Sequence, residues 1–284
     1  MVQMNGILTK LPPPAKNGSR KTVASLLTAL FLMLSNPVLG NAAARAQENT
    51  EIDAADQAFK SLRYEKADSL YLSMLQTGQE SAELYWKLAR LNISIAESID
   101  PAEREKRIPF YNKAVEYARK SVQLDSNNAS AHTWLAAALA LKADKIGAKE
   151  KLNRAAEIKR ELDKALTLNP NDDVAWSMLG SYNFEASKIG WFSRFMGGTF
   201  VGQMPKGSSK EAEKNFRKAI SLNPRVIRHY HELALLYLEE DKKQEALNTL
   251  RIAETRPVLM KSDVRRLKEI RKLIAKLSKE IEEK

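Results

Sequence analysis

The stretch Ala175-Trp176-Ser177-Met178-Leu179-Gly180-Ser181-Tyr182 decides the fold of this 284-residue chain. Trp176 and Leu179 are three residues apart, so they lie on one face of a helix, and the small Gly180 follows where a second helix can approach closely. A second apolar helix comes later and is stopped by proline; its marker residues are Ala212, Phe216, Ala219, Leu222 and Pro224. The two segments together predict a pair of packed antiparallel helices.

Similar helix pairs recur along the chain. The last pair, from His229-Tyr230 to Ala253, has no insertion, and earlier pairs begin at Ala131 and Tyr85. A degenerate first pair has its first helix near 52–62, and its second helix is marked by Tyr64, Ala67 and Tyr71. This spacing resembles the tetratricopeptide (TPR) repeat, which has a period of about 34 residues. The predicted fold class is therefore all-α, a TPR-like right-handed α-solenoid of about five helix pairs spanning residues 47–260.

The C-terminal residues 261–284 predict one more helix, which caps the solenoid. Ser262 and Asp263 can cap its N-terminus, and an apolar stripe runs along it, consisting of Leu267, Ile270, Leu273, Ile274, Leu277 and Ile281. Such a helix covers the apolar face that the last repeat would otherwise expose. Its other side is rich in Lys and Arg, so contact with an anionic membrane surface is the alternative.

The first 46 residues have the composition of a targeting segment. They contain five basic and no acidic residues, an apolar run from Val23 to Leu34, and the small-residue sequence Ala44-Arg45-Ala46. This order is typical of a secretory signal peptide and predicts export to a bacterial periplasm or envelope. An organelle-targeting peptide and an uncleaved membrane anchor remain the alternatives.

Composition excludes several function classes. The chain has no cysteine, which excludes disulfides, thiolate metal sites and thiol nucleophiles. Its net charge of +11 falls to +6 beyond the first 46 residues, and most later cations alternate with acids along helices. Because that alternation is typical of solvated helix faces, nucleic acid is disfavoured as a partner.

Three repeats carry extra residues between their helices. The insertions around 98–107 and 142–151 are charged and predict longer helices or a wider turn. The third, within 188–210, is rich in glycine and aromatic residues, and we expect a loop there that either binds a partner or packs as a plug against the solenoid. Its candidate contact residues are Trp191, Phe192, Arg194, Phe195 and Phe200.

No motif predicts catalysis, a cofactor or a metal. His229 and His231 are two residues apart and point in different directions on a helix, and Leu235 stands where a zinc protease motif needs its second histidine. The segment Gly202–Gly207 has the spacing of a phosphate loop, but Ser208 replaces the required lysine. The chain is therefore expected to be non-enzymatic.

Binding of a protein or peptide partner is the predicted function. The first helices of such repeats line a concave groove, and residues beside the packing positions are expected to face it. These candidates are Glu83, Trp86, Arg90, Thr133, Ser177, Ser181, Arg228 and His231. Arg90 and Arg228 could pair with a carboxylate of the partner. The alternative function is an envelope or membrane-surface protein anchored by the N-terminal segment, the aromatic loop or the basic C-terminal helix.

A family resemblance narrows this prediction. The start at Trp176, the insertion beginning Gly190-Trp191-Phe192, the exit Met204-Pro205-Lys206-Gly207-Ser208 and the helix ending at Asn223-Pro224 together resemble the regulator of microtubule dynamics proteins and their bacterial relatives. The resemblance covers roughly 82–255. It implies a non-enzymatic helical repeat protein, whose eukaryotic members are associated with microtubules and mitochondria. An exported chain would meet no microtubules.

Overall fold

A computed structural model describes residues 50–195 and 207–283, with side chains described as far as Lys188 and again from Gly207. The predicted targeting segment, 1–46, lies outside the described residues. Within the described ranges the secondary structure consists of eleven α-helices and no strands. They are α1 (50–60), α2 (Tyr64–Gln76), α3 (Ala82–Ser98), α4 (Arg104–Leu124), α5 (Ala129–Ile146), α6 (Ala148–Leu168), α7 (Asp173–Phe195), α8 (Ser209–Leu222), α9 (Ile227–Glu239), α10 (Lys243–Glu254) and α11 (Lys261–Glu282).

The first ten helices form five consecutive helix pairs, as the repeat spacing predicts. Within a pair the two helices pack along each other, and the first helices of successive pairs also contact one another from α3 to α9. Residues of Glu51–Lys284 form one compact unit. In the part of the chain that is described, no helix is long and apolar enough to cross a membrane.

The length of the helices explains two of the three insertions. Helices α4 and α6 have 21 residues each, whereas α8 has 14 and α10 has 12. The extra residues at 98–107 and 142–151 therefore mainly lengthen helices. Only Gly147 separates α5 from α6, with a φ of 133° that favours glycine over other residues.

The third insertion is partly helical, so the prediction of a loop from Ile189 onward is wrong for its first part. Helix α7 continues to Phe195 and has 23 residues. The helix contains two glycines, Gly180 and Gly190, each of which costs a helix interior only about 1 kcal/mol. At the far end, a Cβ on Gly207 would lie 2.7 Å from the carbonyl oxygen of Asn183, so this glycine allows the chain to return directly onto α7.

A recurrent hydrogen bond fixes the turns between repeats. Trp176 Nε1 donates to the carbonyl of Pro170 at 2.8 Å, and the Tyr230 hydroxyl donates to the carbonyl of Pro224 at 3.1 Å. His132 Nε2 lies 3.0 Å from the carbonyl oxygen of Ser126. Each of these side chains stands at the fourth position of its helix and reaches back six residues. The large polar aromatic residue of the repeat therefore anchors the preceding turn as well as filling the core.

Helix α11 packs on the last repeat and also reaches the first two. Of the six residues of the predicted apolar stripe, Ile270 and Leu277 belong to the core cluster formed mainly by α8, α9 and α10, and the other four are partly buried against it. At its N-terminus, the Lys261 backbone N–H donates to the Tyr64 hydroxyl of α2 at 3.1 Å, and Arg265 Nη1 donates to the carbonyl of Ile99 after α3 at 3.0 Å. The helix thus links both ends of the repeat array. Residues 261–284 were predicted only to cap the last repeat, so the contacts with the first two repeats are additional.

Candidate partner-binding site

A half-open cavity of about 280 Å³ lies where the third, fourth and fifth repeats meet. Its walls come from the end of α5, the first half of α6, the middle of α7 and the start of α9. The apolar part of the wall includes Ala140, Leu141, Ala155, Ile158, Met178 and Ala186. The volume lies near the lower end of the range for small-molecule pockets, and it suits one large apolar side chain better than a whole cofactor.

Charged residues form one rim of this cavity. Lys151 Nζ lies 2.7 Å from Asp144 Oδ1 and 3.3 Å from Glu185 Oε2. Burial alone would lower the pKa of Lys151, but its bonds to the two carboxylates outweigh burial and raise that pKa. Burial raises the pKa of Asp144, whereas Lys145 and Lys151 outweigh it and lower the pKa overall. Lys151 and Asp144 are therefore both charged at neutral pH.

Arg228 of α9 also lines the cavity and has donors to spare. Its Nε is 3.7 Å from Glu232 Oε1, which is too long for a hydrogen bond, and Nη2 lies 3.5 Å from the sulfur of Met178. Its side chain is 28% exposed. Ser181 lines the same cavity and donates to the carbonyl of Ser177 in its own helix at 3.3 Å. Of the residues predicted to bind a partner, the structure brings Arg228 and Ser181 together here.

The three candidates of the second repeat have other surroundings. Arg90 Nη2 donates to Asp56 Oδ1 at 2.9 Å, and its guanidinium lies 4.1 Å from the centre of the Phe59 ring. Glu83 is exposed and pairs with Lys87 at 3.0 Å, and the half-buried Trp86 lies under Lys87 and Arg90. Arg90 therefore ties α3 to α1, and it is less available to a partner than Arg228.

Thr133, Ser177 and His231 are buried, with 1%, 2% and 9% of their surfaces exposed. Thr133 Oγ1 donates to Asp172 Oδ2 at 2.7 Å, which ties α5 to the start of α7. Burial lowers the pKa of His231, so its imidazole is neutral at pH 7. These positions were expected to face the groove, but packing covers them. Thr133 meets the start of the next first helix, and His231 lies near Arg266 and Glu269 of α11.

The aromatic candidates are only partly described. Trp191, Phe192, Arg194 and Phe195 belong to the last turns of α7. Their side chains, and the whole of Phe200, lie outside the described residues. Ala186, which lines the cavity, stands nine residues before the end of α7, and a Cβ on Gly207 at the exit of the insertion would lie 2.9 Å from the Ala186 Cβ.

Sequence reasoning missed most of the cavity wall. Asp144, Lys151 and Ala155 belong to the charged insertion at 142–151 or follow it directly, and that insertion predicted only longer helices. The available signal was that Ala140, Ala143, Ala155 and Ile158 extend the apolar faces of α5 and α6 beyond the standard repeat length. Extended apolar faces with no partner in their own repeat indicate either a further packing helix or an open cavity.

The described histidines and carboxylates form structural contacts. Across residues 50–195 and 207–283, no group of three or more His, Asp or Glu residues is placed to hold a metal ion. His132 Nδ1 faces Glu161 Oε2 at 2.6 Å, but its Nε2 is occupied by the turn of the preceding repeat. This pair is a buried structural contact between α5 and α6.

The paired helices, the small eighth residues and the turn-anchoring aromatics define a tetratricopeptide repeat protein. A solved structure agrees with this class: the chain aligns with a thermophilic TPR protein of Thermus thermophilus with a TM-score of 0.56 and 17% identity, over 81% of this chain and 98% of that one. At this identity the likeness shows the fold alone. The predicted all-α solenoid is confirmed.

The chain belongs to the family of regulator of microtubule dynamics proteins 1–3, whose model matches residues 51–278. Regulator of microtubule dynamics protein 1 of Bos taurus is 29% identical over 195 residues, which are 68% of this chain and 61% of that protein. The protein of the same name from Caenorhabditis elegans is 23% identical over 222 residues, 78% of this chain and 97% of that one. The chain thus spans about three fifths of the length of its bovine relative, and the predicted resemblance is confirmed.

Proposed function

We propose that this protein is a non-enzymatic scaffold that binds a peptide segment of a protein partner in the cavity between α5, α6, α7 and α9. The observation that carries the proposal is the cavity itself, because its apolar wall and its charged rim are the two elements that a peptide anchor needs. The TPR fold and the family relatives fit a protein-interaction scaffold. They do not name the partner, so the chemistry of the cavity has to define it.

The cavity favours a particular kind of peptide. One apolar side chain enters between Leu141, Ile158 and Met178, where it buries apolar surface. A neighbouring carboxylate of the peptide pairs with Arg228, whose contact to Glu232 is long and readily exchanged. A basic side chain of the peptide meets Glu185, which is half-exposed. The expected motif is therefore an apolar anchor flanked by an acidic residue on the side of α9.

Selection of peptides from a random display library by the full chain tests this proposal. Enriched peptides should share the apolar anchor and the acidic neighbour. Arg228→Glu should weaken their binding by about tenfold or more, because the charge that faces the peptide carboxylate is reversed. Ala140→Phe should weaken it to a similar degree by filling the cavity.

The matched control is Arg225→Glu, because Arg225 is exposed and precedes α9 but does not line the cavity. Its peptide binding should stay within about twofold of the wild-type value, since a charge away from the site acts only weakly. Thermal unfolding of all three variants must remain cooperative. Equal binding by the wild type, Arg228→Glu and Ala140→Phe would refute the cavity as the peptide site.

A further inference from the structure

Helix α11 carries a row of exposed cations along its outer surface. We call Lys268, Arg271, Lys272, Lys276 and Lys279 the basic stripe. The four lysines follow one another at spacings of three or four residues and Arg271 stands three residues after Lys268, so all five lie on one broad face, opposite the buried Ile270 and Leu277. The side chains of Arg271, Lys276 and Lys279 are 62%, 71% and 77% exposed, although each lies within 4 Å of one carboxylate, that of Glu254, Glu280 and Glu283 respectively. The stripe is therefore open to a partner while the same helix is fixed to the core.

The basic stripe concentrates the charge of the folded part. Residues 47–284 have a net charge of +6, and Lys261–Glu282 contributes +4 of it, from eight cations and four acids. Lys268 and Lys272 have no ion pair with any described residue. Lysines four residues apart repel each other and weaken a helix, so this arrangement is not explained by stability. Helix α8, in contrast, interleaves Lys214 and Lys218 with Glu211 and Glu213.

We infer that the basic stripe binds the surface of an anionic lipid bilayer. From Lys268 to Lys279 the row is about 16 Å long, and it lies on the outside of a helix with no described cavity beneath it. Such a straight, one-sided row fits an extended anionic surface better than a small anion. The exposed apolar residues beside it are the small Val264 and Ala275, which insert little into a bilayer and cannot stack on nucleic-acid bases.

The binding is electrostatic and depends on salt. One lysine near an anionic bilayer contributes about fivefold in affinity, so removing two weakens binding about 25-fold. Screening shortens the reach of these charges to about 3 Å at 1 M salt. For residues 1–46 the sequence predicts a secretory signal peptide, and the alternative of an uncleaved membrane anchor would hold the chain at such a surface. The basic stripe belongs to α11 and is independent of the cavity between α5 and α9.

Vesicle flotation with the full chain tests the inference. The probes are phosphatidylcholine vesicles with and without 30% phosphatidylglycerol, each at low and at high salt. Lys268→Glu/Lys272→Glu should lower binding to the anionic vesicles by at least about tenfold. The same variant should unfold at the same or a higher temperature, because the carboxylate introduced at position 272 can pair with Lys276. Loss of binding then reflects the surface and not the fold.

The matched control is Lys214→Glu/Lys218→Glu on α8, which makes the same charge change at the same spacing on exposed positions. It should retain binding to the anionic vesicles within about twofold. Equal losses in the two variants would show an effect of net charge alone and would overturn the inference. Binding that is insensitive to salt and to lipid charge, or binding to duplex DNA or polyglutamate but not to anionic vesicles, would also overturn it.

Discussion

Gly180 lies directly against the ring of Phe216, where α7 and α8 cross. A Cβ at this position would be 2.7 Å from two ring carbons of Phe216, and that ring is fully buried. The equivalent eighth residues of α3, α5 and α9 are Ala89, Ala136 and Ala234, all fully buried. The close contact of a large ring is what makes glycine necessary in the fourth repeat, where the others accept alanine.

Replacing Gly180 with alanine should therefore destabilise the protein by about 1–3 kcal/mol, despite the better helix propensity of alanine, because the added methyl overpacks the core. Urea unfolding monitored by circular dichroism measures this change. The control is Ser181→Ala on the same helix, whose hydroxyl only bonds its own helix and whose loss should cost less than about 0.5 kcal/mol. A Gly180→Ala protein as stable as the wild type would contradict the packing argument.

Residue types predicted the repeat positions well, but they did not predict what each polar residue contacts. The small eighth residues and the aromatic fourth residues are visible in the sequence, because packing at these places depends on side-chain size. The anchoring role of His132 was not visible, since a histidine there does not resemble Trp176 or Tyr230. Burial of Thr133 and His231 was missed because it depends on how neighbouring repeats pack.

Among the elements, α11 depends on a single acidic side chain at its start. Asp263 is 4% exposed, and its Oδ2 accepts from the backbone N–H groups of Met260 and Leu259 at 2.9 and 3.0 Å. Its Oδ1 accepts from Arg266 at 2.8 Å. The sequence predicted Ser262 or Asp263 as the cap, and the structure assigns the role to Asp263, which reaches back from the third residue of the helix.

Removing this carboxylate should cost far more than removing an ordinary surface charge. We expect Asp263→Ala to lower the free energy of unfolding by about 2–4 kcal/mol, because it leaves two backbone donors and the Arg266 side chain, which is only 12% exposed, without their acceptor. Asp263→Asn, which keeps one acceptor oxygen, should lower it less. In the same denaturant titration, Glu269→Ala removes an exposed carboxylate of α11 and should change stability by less than about 0.5 kcal/mol. Equal effects of the three substitutions would be inconsistent with the capping role.

At the scale of the whole molecule, the two ends of the repeat array are joined through α11. Tyr64 is 1% exposed, and its hydroxyl accepts from the backbone N–H of Lys261, 197 residues later. Repeat proteins are held together by neighbour contacts, so such a link makes distant repeats unfold together. The sequence predicted each helix but not this contact, because nothing in the local pattern at Tyr64 or Lys261 shows that the two residues meet.

Tyr64→Phe tests the link without changing the size of the core. It leaves the N–H of Lys261 without an acceptor at a partly buried position, so the free energy of unfolding should fall by about 1–2 kcal/mol. Hydrogen exchange should rise in α2 and in the first turn of α11 at the same time. The matched control is Tyr71→Phe, whose hydroxyl bonds Asp56 within the first repeat, and which should raise exchange in α1 to α3 only. If α11 exchanges at its wild-type rate in Tyr64→Phe, the two ends unfold independently, and α11 stabilises the last repeat alone.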